Sequence, residues 1–428
     1  MARKKTILDS KTVQTTTTDR ASLIDAIFKD LNKTFAEVRL REGDYQCCPS
    51  GNAAVDFIAT DRMDGTGGWP FGRIIELYGN ESTGKSMLGY LALINCIHSM
   101  NGIGVLIDSE NSFTPSFYKL LGGDENELIK FPPKHINEVY EFMTTFMKTV
   151  RAKTPDRPMV IVYDSLAASP TLEEWTEGMG TFDYGKRAKA HYQGCRLISD
   201  PIRQSKTLLL VVNQLRHTMS QFGPDQDTVG GLAMKYFASL RCHLKRGKRL
   251  YNVPGKGVEE KSSAKEISAL SKDARFVGIR GRFVVEKTRF TAPFREVRFD
   301  LFFRGGLSPF SGWFDALQNH WLDKDGNNII VGATAKEDPS KIRPGWYSVA
   351  NEEGAFTKKT FLQWCVEKRP DLLVGYNIED HTAVPDGDDL EQEEVDEATG
   401  NQIGAVQSDI REPEIDDSGN QPTSAADV

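Results

Sequence analysis

The chain of 428 residues has 39% apolar and 26% charged residues, which predicts a globular protein of roughly two or three domains and excludes a fibrous one. Its net charge of −7 is uneven, because residues 379–428 carry sixteen acidic side chains against one arginine and the remainder carries +8. No apolar run could span a bilayer, so we expect no membrane partner. The six cysteines lack zinc-binding spacing, which favours reduced thiols in a cytoplasm.

The predicted elements divide the chain into four regions, which are residues 1–72, 73–305, 306–378 and 379–428. The first combines a polar arm with an amphipathic helix near residues 22–35, where apolar side chains recur at helical spacing. The second alternates strands with helices and predicts an α/β core with a mainly parallel, twisted sheet covered on both faces. The third predicts a small α/β domain, and the fourth an acidic disordered tail that is either simply solvated or folded back on the basic body.

Six segments of the second region have the continuous apolar composition of buried strands. They are RIIELY, GVLIDS, MVIVYDS, TLLLVVNQ, RFVVEK and VRFDLFF. Because such strands are typical of parallel sheets, their carboxyl ends should meet at one edge, where ligands bind in open α/β folds.

The segment GNESTGKS follows directly behind RIIELY and precedes a helical segment. It fits the pattern G-x-x-x-x-G-K-[ST], in which glycines let successive backbone N–H groups point at a phosphate and the helix start adds a positive dipole. The predicted nucleotide-binding residues are Gly79, Asn80, Glu81, Ser82, Thr83, Gly84, Lys85 and Ser86. Lys85 would contact the outer phosphates of ATP and the Ser86 hydroxyl would bind Mg²⁺, whereas the alternative is a turn with a charged tip.

Acidic residues follow two other strands. Asp164 ends MVIVYDS and is predicted to hold Mg²⁺ through water. Asp108 and Glu110 follow GVLID, and one of them would orient or deprotonate the attacking water, with Glu110 the further out along the strand. The alternative for each is a capping or solvated acid.

Gln214 at the end of TLLLVVNQ could sense the terminal phosphate and transmit its state to the polar, glycine-rich segment that follows. A second such segment follows Asp164. The helix start GKRAKAHYQGCRLI then carries basic residues suited to phosphate contacts, with a solvated basic face as the alternative. These basic residues are Lys186, Arg187, Lys189 and Arg196.

Several motifs together resemble the RecA family of DNA recombinases, in its order and approximate spacing, from about residue 22 to 370. They are GRIIELYGNESTGKS, LIDSENSFTP, VIVYDSLAA, VVNQLR, VGGLAMKYFASLR and VVEKTRFTAPF. The resemblance implies an ATPase that forms a helical filament of identical subunits on single-stranded DNA, searches duplex DNA for homology and exchanges strands. The turn SPFSG and the later GWY are more similar to the bacteriophage branch. The resemblance therefore implies a bacterial cytoplasm, including that of a bacteriophage host.

The resemblance also implies roles for individual residues. Glu110 matches the water-activating glutamate, and Gln214 matches the residue that links the γ-phosphate to the second DNA loop. The positions that match phosphate contacts to DNA are Arg196, Arg216, Gly230 and Gly231. Lys287 and Arg289 match two cations that reach the ATP of the neighbouring subunit, and the helix near residues 22–35 matches a subunit-packing segment.

The chain departs from the bacterial pattern in three places. Thr114 and Phe117 replace an Asp and a Tyr near the adenine, residues 247–281 form a longer segment, and the carboxyl-terminal region matches only loosely. Two other functions remain open: a ring-forming DNA helicase with the same core, and a non-hydrolysing, ATP-regulated DNA-binding protein. Partner proteins that load the filament or bind single strands are a further expectation.

Overall fold

The computed structural model describes residues 22, 27, 29, 45–178, 184–217, 226–334, 341–350, 352 and 354–373, all within the unit Met1–Thr382. The strands of the described residues are β1 (Cys47–Cys48), β2 (Trp69–Pro70), β3 (Arg73–Gly79), β4 (Ile103–Asp108), β5 (Leu128–Phe131), β6 (Met159–Asp164), β7 (Thr207–His217), β8 (Gln226–Thr228), β9 (Leu240–Val253), β10 (Gly257–Lys261), β11 (Arg275–Thr288), β12 (Arg295–Phe302), β13 (Gly306–Leu307), β14 (Ile330–Thr334) and β15 (Ile342–Val349). The helices are α1 (Ala53–Thr60), α2 (Lys85–Met100), α3 (Pro115–Leu120), α4 (Ile136–Lys153), α5 (Leu172–Glu177), α6 (Tyr184–Gln204), α7 (Ala233–Phe237), α8 (Ala264–Ser268), α9 (Trp313–His320) and α10 (Phe361–Lys368).

Eleven of these strands form one central sheet in the order β13-β12-β11-β9-β3-β7-β6-β4-β5, with β10 beside β9 and β8 beside β7. The strands from β9 to β5 in this order are parallel, and β11, β12 and β13 extend the sheet in antiparallel fashion. All six predicted strands are present, and the α/β core with a mainly parallel sheet is confirmed. The carboxyl ends of β3, β4, β6 and β7 lie at one edge, as the sequence predicted.

Helices cover both faces of the parallel part because alternate side chains of each strand point to opposite faces. Ile75, Val162 and Leu210 pack into the same hydrophobic cluster as α2, whereas Ile161 and Leu209 pack with α4 and α6. Burial on both faces explains why these strands are apolar throughout. None of the helices in the described ranges is both long and apolar enough to cross a membrane.

The sequence did not predict β9, a fourteen-residue strand that joins the parallel and antiparallel parts. Its segment LRCHLKRGKRLYNV is rich in basic residues, but Leu240, Cys242 and Leu244 alternate with polar residues and point into the core. Alternation of apolar and polar residues predicts a strand, but the many basic residues made this segment unlike the continuous apolar strands of the core. The longer segment 247–281 contains the outer parts of β9 and β11 together with β10 and α8.

The carboxyl-terminal region contains α9, β14, β15 and α10, in agreement with the predicted α/β content. Its aromatic side chains belong to the same hydrophobic cluster as the core, and Trp313 packs edge-on against Phe57 of α1 with ring centroids 5.6 Å apart. The four domain boundaries therefore remain predictions. In the first region Ser22, Ile27 and Lys29 are helical, and the rest of the predicted helix, like the acidic tail at 379–428, lies outside the described residues.

Candidate functional site

The loop between β3 and α2 requires glycine at both ends of its motif. A Cβ on Gly79 would lie 2.2 Å from the carbonyl oxygen of Leu244, and one on Gly84 would lie 2.3 Å from the Leu301 side chain. Gly84 also has a φ of 89°, in the left-handed region that other residues rarely adopt, and it directly precedes the first residue of α2. The glycines thus allow the loop to close tightly against β9 and β12, with the α2 amino terminus facing the loop.

Lys85 at the start of α2 is buried, and its Nζ donates a hydrogen bond to the Asn80 carbonyl at 2.6 Å. The Thr83 hydroxyl donates to the same carbonyl at 3.0 Å. Burial lowers the pKa of Lys85, and the nearby carboxylates of Asp164, Glu110 and Glu81 act in the opposite direction. An ammonium has three donors, of which the hydrogen bonds within the described residues use one. Lys85 is therefore held over the loop with donors left for an anion.

Asp164 at the end of β6 is 2% exposed, and its Oδ2 has no hydrogen-bond partner among the described residues. Burial raises the pKa of this carboxyl to about 6, although a hydrogen bond with the Ser86 side chain opposes the shift. A buried carboxylate oxygen without a partner is costly in an apolar setting. Two hard oxygen ligands side by side fit Mg²⁺, which usually takes one or two protein ligands and completes its shell with phosphate and water. Within the described residues, no three His, Cys, Asp or Glu side chains form a group that could hold a metal ion.

The raised pKa of Asp164 gives a stability prediction. When the pKa of a carboxyl is higher in the folded than in the unfolded protein, the folded protein loses stability as the pH rises from the lower pKa to the higher one. Asp164→Asn should therefore stabilise the nucleotide-free protein in EDTA by up to about 3 kcal/mol at about pH 7. Thermal unfolding of both proteins measures this difference, which should shrink as the pH falls to about 4. A variant less stable than the parent at about pH 7 would contradict the burial argument.

The structure distinguishes the two acids that follow β4. Glu110 Oε1 accepts a hydrogen bond from the Gln214 amide at 3.1 Å and another from the Ser165 hydroxyl. Asp108 instead accepts the backbone N–H groups of Ser112 and Phe113 at 3.2 and 3.0 Å. Asp108 thus stabilises the turn that leads to α3, and Glu110 is the acid that joins the ends of β6 and β7. The sequence did not single out Ser165, although it directly follows Asp164.

The two residues predicted near the adenine lie at the start of α3. Thr114 is the residue before Pro115 and its side chain makes no capping bond. Phe117 is half-buried and packs edge-on against Tyr90 of α2, with ring centroids 6.5 Å apart. Phe117 packs against the hydrophobic cluster on the α2 side of the sheet. Contact of either residue with a base stays a prediction.

Lys287 and Arg289 are not part of the phosphate loop of their own subunit. In the sheet register, Lys287 pairs with Arg241, which pairs with Glu76, three residues before Gly79. Lys287 therefore lies about 10 Å back along the strands from the loop. Its Nζ donates to the carbonyls of Lys235 at 2.6 Å and Tyr236 at 3.2 Å. Arg289 is exposed beside a cavity of about 490 Å³ that Gly72, before the start of β3, also lines.

The predicted DNA-binding residues come from three segments, which are α6, the end of β7 and the turn before α7. Lys189, Arg196 and Arg216 are exposed. Gly230 and Gly231 have φ angles of 89° and 65°, and a Cβ on Gly231 would lie 2.9 Å from the Ala188 side chain on α6. Residues 218–225, which connect Arg216 to Gly230, and residues 179–183, which precede α6, lie outside the described residues.

Arg187 of α6 was expected to contact phosphate, but the structure pairs it within the protein. Lys186 is exposed, but Arg187 is half-buried, donates to the Ala167 carbonyl at 2.9 Å and pairs with Glu174 at 3.2 Å. Through these two contacts Arg187 links α6 to α5 and to the segment after β6. The basic face of α6 is therefore Lys186, Lys189 and Arg196.

Comparisons with known proteins agree with this arrangement. The family model of the RecA N-terminal domain matches residues 22–308. Protein RecA of Streptomyces rimosus is 30% identical over 383 residues, which cover 87% of this chain and 90% of that protein. Protein RecA of Streptomyces ambofaciens is 29% identical over 389 residues (87% and 92%), and that of Staphylococcus aureus strain JH9 is 29% identical over 311 residues (72% and 82%). The chain therefore belongs to the RecA family, the family of DNA recombinases whose motifs its sequence carries.

Proposed function

We propose that this protein is an ATP-dependent recombinase that forms filaments on single-stranded DNA, pairs them with homologous duplex DNA and exchanges strands. The observation that carries the proposal is the hydrogen bond from Gln214 to Glu110. It joins the acid beside the phosphate loop to β7, which leads into the segment of predicted DNA contacts. A nucleotide site and a DNA surface connected by one strand suit a protein whose DNA binding depends on ATP. The same geometry gives no support to a protein that binds ATP without hydrolysing it.

In the proposed mechanism, the backbone N–H groups of residues 79–86 and the Lys85 ammonium bind the phosphates of ATP. Ser86 and Asp164 hold Mg²⁺, whose role when bound is to neutralise phosphate charge during transfer. Glu110 orients the attacking water and accepts its proton. Ser165 and Gln214 position the Glu110 carboxylate, and Gln214 exchanges this partner for the γ-phosphate when ATP is present.

Lys287 and Arg289 are proposed to act on the ATP of a neighbouring subunit. Their position behind the loop of their own subunit supports this assignment, since positive charge at the transferring phosphoryl group must come from a side chain that can reach it. Hydrolysis would then require the helical assembly, and the segment near residues 22–35 would pack on the adjacent copy. A heterologous interface of this kind generates an open filament when its rotation does not close.

We further propose that the protein belongs to the bacteriophage branch and acts in a bacterial cytoplasm, with loader or single-strand-binding proteins as partners. The motifs SPFSG and GWY support the branch. Electron microscopy with single-stranded DNA, Mg²⁺ and ATP tests the central proposal: we expect open helical filaments. Closed rings would favour the helicase, and scattered monomers under all nucleotide conditions would contradict a filament.

The basic face of α6 gives a separate prediction. Arg196→Ala should weaken binding to single-stranded DNA and reduce the slope of log affinity against log salt by about 0.7, the value for one lost phosphate contact. Fluorescence anisotropy across a salt series measures both. Lys148→Ala, which removes an exposed lysine from α4, is the matched control and should leave the slope unchanged. An equal slope for Arg196→Ala and the parent would remove Arg196 from the interface.

A further inference from the structure

A glutamate lies fully buried in the middle of β3, a strand that is otherwise apolar over its interior. Glu76 is 0% exposed, its Oε1 accepts the Asn213 amide at 2.7 Å and its Oε2 accepts Arg241 Nε at 2.5 Å. Burial raises the pKa of Glu76, while Arg241 and Asn213 oppose the shift. A buried ion pair contributes little net stability, because desolvation offsets the attraction. Stability alone therefore does not account for a charge at this position.

The Asn213 side chain connects Glu76 to the site of ATP chemistry. Asn213 directly precedes Gln214, and its Oδ1 accepts the backbone N–H of Gln214 at 2.9 Å. Its amide also donates to the Val229 carbonyl at 2.8 Å. One side chain thus contacts the buried carboxylate, the residue that bonds Glu110, and the residue before Gly230. A displacement of the Gln214 backbone would therefore act on Asn213 and, through it, on Glu76 and Val229.

The Arg241 side chain connects Glu76 to the same downstream segment from the other side. Its guanidinium donates to the Thr228 hydroxyl at 3.4 Å and lies over the Tyr78 ring, 4.8 Å from the centroid. Arg241 is also the register partner of Lys287, which donates to the carbonyls of Lys235 and Tyr236. Residues 227–236 are therefore held by Asn213, by Arg241 and by Lys287.

We propose that Glu76, Asn213 and Arg241 form a positioning triad that transmits the nucleotide state sensed at Gln214 to residues 227–236 and to Lys287. The inference rests on the proposed function, since it assumes that Gln214 leaves Glu110 when ATP binds. An unpaired member of a buried polar network is costly, so we expect its members to change partners together. Movement of Gln214 would shift Asn213, re-aim the segment that contains Gly230 and Gly231, and release Lys287 from the carbonyls of α7.

The test is the ratio of single-stranded DNA affinities measured with a slowly hydrolysed ATP analogue and with ADP. The double variant Glu76→Gln/Arg241→Met removes both charges at nearly constant volume, a change that buried ion pairs usually tolerate. We expect its affinity with ADP to stay within about twofold of the parent and the ratio to fall about tenfold, within the usual range of coupling between sites. An equal loss of affinity in both nucleotide states would indicate a merely structural role and overturn the proposal.

A second variant covers the case in which the double variant does not fold. Arg241→Lys keeps a positive charge beside Glu76 but lacks the forked guanidinium that reaches Thr228. We expect its ratio to fall about threefold, with ATP binding unchanged. A ratio equal to that of the parent in folded Arg241→Lys would overturn the proposal.

A matched control removes another ion pair of the same sheet. Arg280 and Asp300 pair at 2.6 Å between β11 and β12, and no hydrogen bond or ion pair of the described residues joins them to residues 213–241. Arg280→Met/Asp300→Asn should keep the ratio of the parent, and a fall equal to that of the triad variant would overturn the specific role. If the parent protein itself binds DNA equally with both nucleotides, the proposed function fails. If the parent binds DNA more tightly with the ATP analogue than with ADP and the triad variants keep that difference, only the triad is rejected.

Discussion

Glu110→Gln should slow ATP turnover by about 100- to 10,000-fold, the usual contribution of a general base, while ATP binding stays intact. The amide keeps the size of the side chain and can still contact Ser165 and Gln214, but it cannot accept a proton from water. Filaments formed with ATP should therefore persist and hydrolyse slowly. Phosphate release and nucleotide binding, measured on the same preparation, separate the two effects.

Two comparisons make this result specific to Glu110. Asp108→Asn changes the other acid of the same strand end. Within the described residues its carboxylate bonds two backbone N–H groups, so turnover should stay within a few-fold of the parent. Lys85→Ala on its own should lose hydrolysis and ATP-dependent DNA binding together, since the phosphates lose their ammonium donor. Normal turnover in Glu110→Gln would remove this residue from the mechanism.

Mixing Lys287→Ala protein with Lys85→Ala protein should restore ATP hydrolysis that neither protein has alone. Each subunit of the first has an intact phosphate loop, and each subunit of the second supplies an intact Lys287 to its neighbour. In filaments that contain both variants in equal numbers and random order, about a quarter of the interfaces should be productive, because a heterologous interface joins one face of each copy. Steady-state hydrolysis on single-stranded DNA measures the rescue.

The rescue should depend on contact between copies. It should grow with total protein concentration and with DNA long enough to align many subunits. It should be absent with short oligonucleotides that bind a single subunit. A mixture of Lys85→Ala with Glu110→Gln is the control, because both changes affect the same side of the interface and leave no complete site. If both folded proteins co-assemble and no ratio restores turnover, Lys287 acts within its own subunit or not at all.

The sequence by itself determined the parts of this protein that depend on local pattern. The motif from Gly79 to Ser86 requires a strand before it, a helix after it and glycines where no side chain fits, and the structure has all three. Continuous apolar strands likewise predicted a sheet covered on both faces, because only burial on both sides favours such composition. Asp164 and Glu110 could be named because strand ends converge at one edge of a parallel sheet.

Only the tertiary structure decided which of these residues meet. Asp108 and Glu110 are two positions apart in sequence. Asp108 nevertheless accepts backbone N–H groups of a turn, whereas Glu110 bonds Gln214, because the chain turns after the strand end and directs the two side chains to different partners. The sequence does not distinguish Arg187 from its basic neighbours, because its ion pair with Glu174 depends on how α5 and α6 pack together. Glu76, Asn213 and Arg241 belong to three strands that are neighbours only in the sheet, so their pairing depends on strand order and register. Contacts between distant segments are set by packing, which no local pattern of residues encodes.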